Sequence, residues 1–129
     1  MLLVPTRLSQ SPIHGLGVFA LAPIAASTPV WRFERGLDME FSPDIVTTLP
    51  EHVQTFFSHY GYLDRNVGRI ILCFDDARFV NHSDAPNVAT DYAQDPYGLD
   101  VALRDIAAGE ELTMDYANFE QTSEAARGF

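Results

Sequence analysis

The chain has 129 residues, 47% hydrophobic and 20% charged, a balance that suits one folded domain with an ordinary core and excludes a disordered or membranous chain. Eight basic residues stand against eighteen carboxylates, and the formal net charge of −10 disfavours direct binding to nucleic acid while suiting a basic protein or peptide partner. All eight basic residues are arginine, which excludes a Schiff-base or phosphate-loop lysine, and the single cysteine, Cys73, excludes an internal disulfide or a multi-cysteine zinc site.

No apolar run reaches the roughly 20 residues of a spanning helix, and Met1–Pro5 is too short and lacks the basic flank of a signal peptide. A cytoplasmic protein with no membrane association is expected. Leu2–Leu8, with Pro5 near its start, fits an edge strand, and Ser9-Gln10-Ser11-Pro12 a turn. His14-Gly15-Leu16-Gly17-Val18-Phe19-Ala20 follows. Its paired glycines allow a tight bend or a close approach, but no third glycine stands at dinucleotide-fold spacing. Val30–Glu34 alternates as a strand. Ala20–Ala26 and Ala102–Ala108 echo one another, each leading through a turn into a strand, and so suggest two similar units.

The spacing predicts one short inserted helix. Thr48 and Glu51 stand at capping-box spacing, Val53, Phe56, Phe57 and Tyr60 share a face, and Gly61 supplies the stop. His52 and His59 share a side of that helix but lack a third ligand at metal-site spacing, so no metal is assigned. Arg69–Phe74 reads as a buried strand. It runs into a polar segment, Arg78-Phe79-Val80-Asn81-His82-Ser83-Asp84-Ala85-Pro86-Asn87, whose side chains need partners. Asn87–Tyr92 and Leu99–Leu103 form a hairpin around the turn Asp95–Gly98, and Leu112–Tyr116 is a last strand. The tail, residues 117–129, is expected to be loosely held apart from Phe119.

Three separated pieces carry a resemblance: Gly15-Leu16-Gly17-Val18-Phe19-Ala20, then Arg78-Phe79-Val80-Asn81-His82-Ser83 with Pro86-Asn87, then Gly109-Glu110-Glu111-Leu112-Thr113-Met114-Asp115-Tyr116. In this order and at these separations the chain resembles the SET-domain protein-lysine methyltransferases, in particular their small stand-alone viral and bacterial members. The resemblance spans about residues 12–116 and makes the chain a single SET domain over 1–129. It implies a mainly β fold of several small curved sheets around a knot-like crossing, a form of threading rare among proteins.

The activity implied is methyl transfer from S-adenosylmethionine to a lysine ε-amine in a basic protein of histone-like or ribosomal kind. By similarity, Tyr116 is the catalytic tyrosine. Leu16, Gly17, Arg78, Phe79, Asn81 and His82 form the cofactor site. Tyr60, Tyr62, Met114 and Phe119 are channel candidates, of which only Met114 stands at a motif position. Met114, where the family commonly has Phe or Tyr, implies more than one methylation. Asp84 replaces a common but non-catalytic cysteine. Glu111 and Asp115 are read as structural. The small relatives imply a homodimer. Taken singly, Asn81 suits a turn cap, His82 a satisfied histidine and Tyr116 a packed aromatic. The alternative is a non-catalytic SET-like module that binds cofactor or peptide; a structural β-domain unrelated to the family is the third reading.

Overall fold

Short apolar runs broken by turns give short strands. The computed structural model describes residues 1–121, and among them ten strands form three small sheets. In β2 (Leu16–Ala20) Val18 and Ala20 are buried, and the strand pairs antiparallel with β1 (Thr6–Gln10). Ser9 and Gln10, expected in a turn, lie within β1, because their partners Gly17 and Leu16 extend the ladder.

The five-stranded sheet runs β3 (Pro29–Trp31), β9 (Leu99–Ala102), β8 (Val88–Asp91), β10 (Thr113–Met114), β7 (Asn81–His82). Its first three strands are antiparallel, whereas β10 runs parallel to both neighbours. The third sheet sets β6 (Ile70–Leu72) between β4 (Met39–Phe41) and β5 (Tyr62–Leu63). The expected strands at Val30–Glu34 and Leu112–Tyr116 are shorter than the sequence suggests. Past Trp31 the ladder to β9 ends, and past Met114 the chain turns into a 3₁₀ helix, Tyr116–Asn118, capped by the Asp115 carboxylate.

The expected helix is α2 (Glu51–Tyr60), and Gly61 ends it in extended geometry. Two details differ. A further short helix, α1 (Pro43–Val46), precedes it. The Thr48 hydroxyl donates to Ile45 O in the turn that closes α1, so it does not cap α2, whose N-cap is Pro50. The two threonines are consumed by the preceding turn, and Gln54 reaches back to the carbonyls of Leu49 and Thr47 instead.

The sequence echo becomes a pairing. Ile24 and Ile106 exchange both backbone hydrogen bonds, each at 2.8 Å. On either side Ser27 N–H donates to Ala102 O and Gly109 N–H to Ala20 O, both at 2.7 Å. Ser27 and Gly109 also share positive φ, 68° and 85°. The two units therefore face each other across a local two-fold.

The apolar side chains form three clusters. One, built on Val18, Val30, Val88, Ile106, Leu112 and Met114, fills the space between the first two sheets. A second, of Val46, Phe57, Leu63, Ile70 and Leu72, lies under α2. Trp31, Ile71 and Cys73 join them. Residues 117–121 are docked, contrary to the loose tail expected from composition: Asp64 and Glu120 form a bridge, Gln121 N–H donates to Leu63 O, and the Phe119 carbonyl accepts from Arg65 N–H and the Tyr92 hydroxyl. The rest of the tail lies outside the described residues.

Candidate active site

The parallel pairing of β7 with β10 sets Asn81 beside Thr113 and His82 beside Met114, so the two polar motif segments meet although they are far apart in sequence. Asn81 is buried, and its side-chain nitrogen reaches His14 O and Leu16 O at 3.1 Å and Glu111 Oε2 at 2.9 Å. Glu111 also accepts from the Ser11 hydroxyl at 2.8 Å. This network pins the Gly15–Gly17 segment. A Cβ on Gly17 would stand 2.4 Å from Glu111 Oε2, so glycine serves the close approach of that carboxylate. Asn87 does a similar job one layer further in, donating to Glu111 O at 2.8 Å and accepting from Thr113 N–H at 2.8 Å.

The exposed imidazole of His82 accepts from Tyr116 N–H at Nδ1, 3.1 Å, which leaves its proton on Nε2 to donate to Asp84 at 2.9 Å. Its ring stands edge-on to the Tyr116 ring, with centroids 5.3 Å apart. The Tyr116 hydroxyl donates to Val80 O. Arg78 and Phe79 lie in a 3₁₀ helix, Asp76–Phe79, capped by Asp75. Arg78 Nε donates to Cys73 O, and its guanidinium lies over the Tyr60 ring.

A cavity of about 260 Å³ opens between the first and third apolar clusters, and Tyr116, Met114, Phe119, Tyr60, Tyr62 and Arg78 line it. The catalytic candidate and all four channel candidates thus surround one space. Of the cofactor group only Arg78 does; Leu16, Gly17, Phe79, Asn81 and His82 lie outside it. The volume lies near the lower end of the roughly 300–1,000 Å³ range of small-molecule sites. Phe119 packs edge-on to both Tyr62 and Tyr116, making the wall aromatic.

The sequence reading missed Asp100, Thr90, Trp31, Cys73, Ser58, His59 and Glu120 as lining residues. Asp100 had a signal that could have found it, an acid inside an otherwise apolar strand. Simple alternation turns Leu99, Val101 and Leu103 toward a core. Instead, Asp100 and Ala102 are buried and Leu103 is exposed. Burial pushes the Asp100 carboxyl up to about 7, partly opposed by the hydrogen bond from Thr90.

A β-rich fold of small sheets, with Asn81, Glu111 and the glycine segment knotted by hydrogen bonds beside a tyrosine-walled cavity, defines a compact catalytic or binding domain. The SET-domain family model matches residues 15–117, and the chain belongs to that family. It is 29% identical to an H3 lysine-4-specific histone-lysine N-methyltransferase of Debaryomyces hansenii, over an alignment covering 95% of this chain and 12% of that protein. The chain therefore spans about an eighth of the curated relative that it matches. Among solved structures, the Cryptosporidium protein CpSET8 superposes with TM-score 0.61 at 23% identity, over 86% of this chain and 56% of that one. A humanized mutant of the Chaetomium thermophilum Polycomb Repressive Complex 2 gives 0.65 at 21% identity, over 90% and 15%. These two likenesses bear on the fold. No helix among the described residues is long and apolar enough to cross a membrane.

Proposed function

We propose that this domain transfers methyl groups from S-adenosylmethionine to the ε-amine of lysine in a basic, histone-like protein or peptide. The observation that carries the reading is Tyr116, which lines the aromatic cavity while its backbone and ring meet the exposed His82. Family membership and the histone-lysine methyltransferase relative support it.

The residues outside the cavity suit the cofactor. Leu16 offers an exposed apolar surface, and His82 with Asp84 and Asp115 offers polar and anionic groups for a ligand that carries both a base and an ammonium. The Asn81 side chain is committed to the Gly15–Gly17 segment, so it shapes this site through the loop that it holds. When bound, the cofactor supplies an electrophilic methyl on a sulfonium. Tyr116 orients the incoming amine, and its hydroxyl, with the Val80 carbonyl behind it, favours positive charge developing at the transferring carbon. Tyr60, Tyr62 and Phe119 exclude water and so favour the neutral amine over the ammonium. Met114, a flexible thioether at the same wall, leaves room for more than one methylation. The single-domain organisation over 1–129, the small stand-alone type, a homodimer and a cytoplasmic location are parts of the same proposal.

The test is transfer from labelled S-adenosylmethionine into a panel of lysine-rich proteins, wild type beside Tyr116→Phe. Because the chain has no lysine, label on lysine reports the substrate alone. Wild type is expected to label lysine and the variant to be slower by about 10²–10³-fold. Full transfer by the variant overturns the role of Tyr116. Cofactor binding without transfer to any of the panel would favour a non-catalytic module.

A further inference from the structure

Two polar groups in the cavity are left half-satisfied. Asp100 is 8% exposed, and its carboxylate accepts one hydrogen bond, from the Thr90 hydroxyl at 2.7 Å. Among the described residues no other hydrogen bond reaches it and no arginine pairs with it. Its register partner across β3, Trp31, carries a buried indole N–H without an acceptor. Both residues line the same cavity as Tyr116 and Tyr62. A buried carboxylate with one partner and no counter-ion is costly, and it persists where a ligand completes it.

No cationic group among the described residues forms an ion pair with Asp100. Tyr62 comes from β5 and Cys73 from just past the end of β6, Tyr92 and Tyr97 from the turn beyond β8, and Asp64 from the segment after β5. Glu120, His59 and Arg78 also line the cavity. The Met1 ammonium acts on Asp100 only from a distance and is itself held by Asp38 at 2.7 Å. Burial lifts Tyr62, Cys73 and Tyr92 upward, so none of these three titrates near neutrality. The carboxyl of Asp100 is lifted by burial to about 7, where it can hold or release a proton.

We propose that Asp100 receives the ammonium of the target lysine in the cavity and accepts its excess proton, delivering the neutral amine to Tyr116. The inference rests on the lysine-methylation reading and adds a residue to it. The proton balance is simple. The lysine ammonium gives one proton to the ionised Asp100, leaving a neutral amine and a neutral carboxyl. The amine lone pair then forms the new N–C bond as the C–S bond breaks toward sulfur. Asp100 returns its proton to solvent before the next round.

The test has a readout independent of methyl transfer. Trp31 is the only tryptophan and lines the cavity, so its fluorescence reports occupancy. The probe is n-butylammonium, a lysine side-chain mimic, titrated into wild type and Asp100→Asn between about pH 6 and 8. The asparagine preserves shape and the Thr90 contact, and thermal unfolding checks that it folds. Wild type is expected to bind more tightly as pH rises through the Asp100 transition, and the variant to bind at least tenfold more weakly with a flat profile. Equal affinity in both, or no binding to wild type, overturns the proposal. In the methyl-transfer assay the variant should be slow at pH 7 and recover steeply toward pH 10, where free lysine deprotonates. Parallel pH profiles also overturn it. A wild type that binds the probe through Asp100 yet transfers no methyl keeps the ammonium site and removes the methylation reading.

Discussion

Asn81 is the residue on which the local geometry turns. One amide nitrogen serves two carbonyls of the glycine segment and the Glu111 carboxylate. Asn81→Ala leaves these acceptors short of a donor inside the protein, a loss of about 1–3 kcal/mol. Urea unfolding should show the lower midpoint, and cofactor titration should show weaker binding because the Gly15–Gly17 segment is released. An unchanged midpoint would mean that Ser11 alone holds Glu111. Tyr116 shows the limit of reading one residue from sequence. A tyrosine near a strand end is usually packing, and only the cavity behind this one and the histidine in front of it distinguish the two roles.

At the scale of elements, α2 carries one wall of the cavity, and its seating rests on a single ring. Phe57 is buried against Phe41, with ring centroids 5.0 Å apart, among Val46, Leu63, Ile70 and Leu72. Its neighbour on the helical face, Phe56, is exposed. Phe57→Ala should cost about 3–5 kcal/mol, and Phe56→Ala less than about 1 kcal/mol, measured by chemical denaturation. Comparable losses would show that the helix sits on a broader face. The paired units supply a second case. Gly109 has φ 85° with open space where a Cβ would go, so Gly109→Ala is strained by its backbone alone and should cost about 1–2 kcal/mol. Ser27 already carries that strain at the matching position.

For the whole molecule, charge and fold act together. A chain of formal charge −10 attracts a basic substrate over distances that salt screens. The KM for a lysine-rich peptide should rise several-fold between about 0.05 and 0.3 M salt, with kcat little changed, because screening weakens the encounter and not the chemistry in the cavity. A salt-independent KM would confine recognition to the cavity itself. The small sheets reach their stability by sharing side chains. Met114 belongs to the core between two sheets and also forms cavity wall, so changes in product number and in stability should travel together there.

The sequence by itself determined that the chain is β-rich, that one substantial helix interrupts it, and which three motif segments are exceptional. Those features are local: a turn, an alternation or a motif is written in neighbouring residues. The tertiary structure alone decided that β7 lies parallel to β10, that the two echoing units bond to each other, and that Asp100 faces the cavity while Leu103 faces solvent. Helix starts and strand ends also escaped the sequence, since Thr48 was claimed by the turn before α2 and the β10 ladder ended at Met114. Parallel pairing needs a distant partner, and a strand's inward face is chosen by what packs on it. A hydrophobic pattern records the alternation of a strand, but the neighbouring sheets determine which of its two faces is buried.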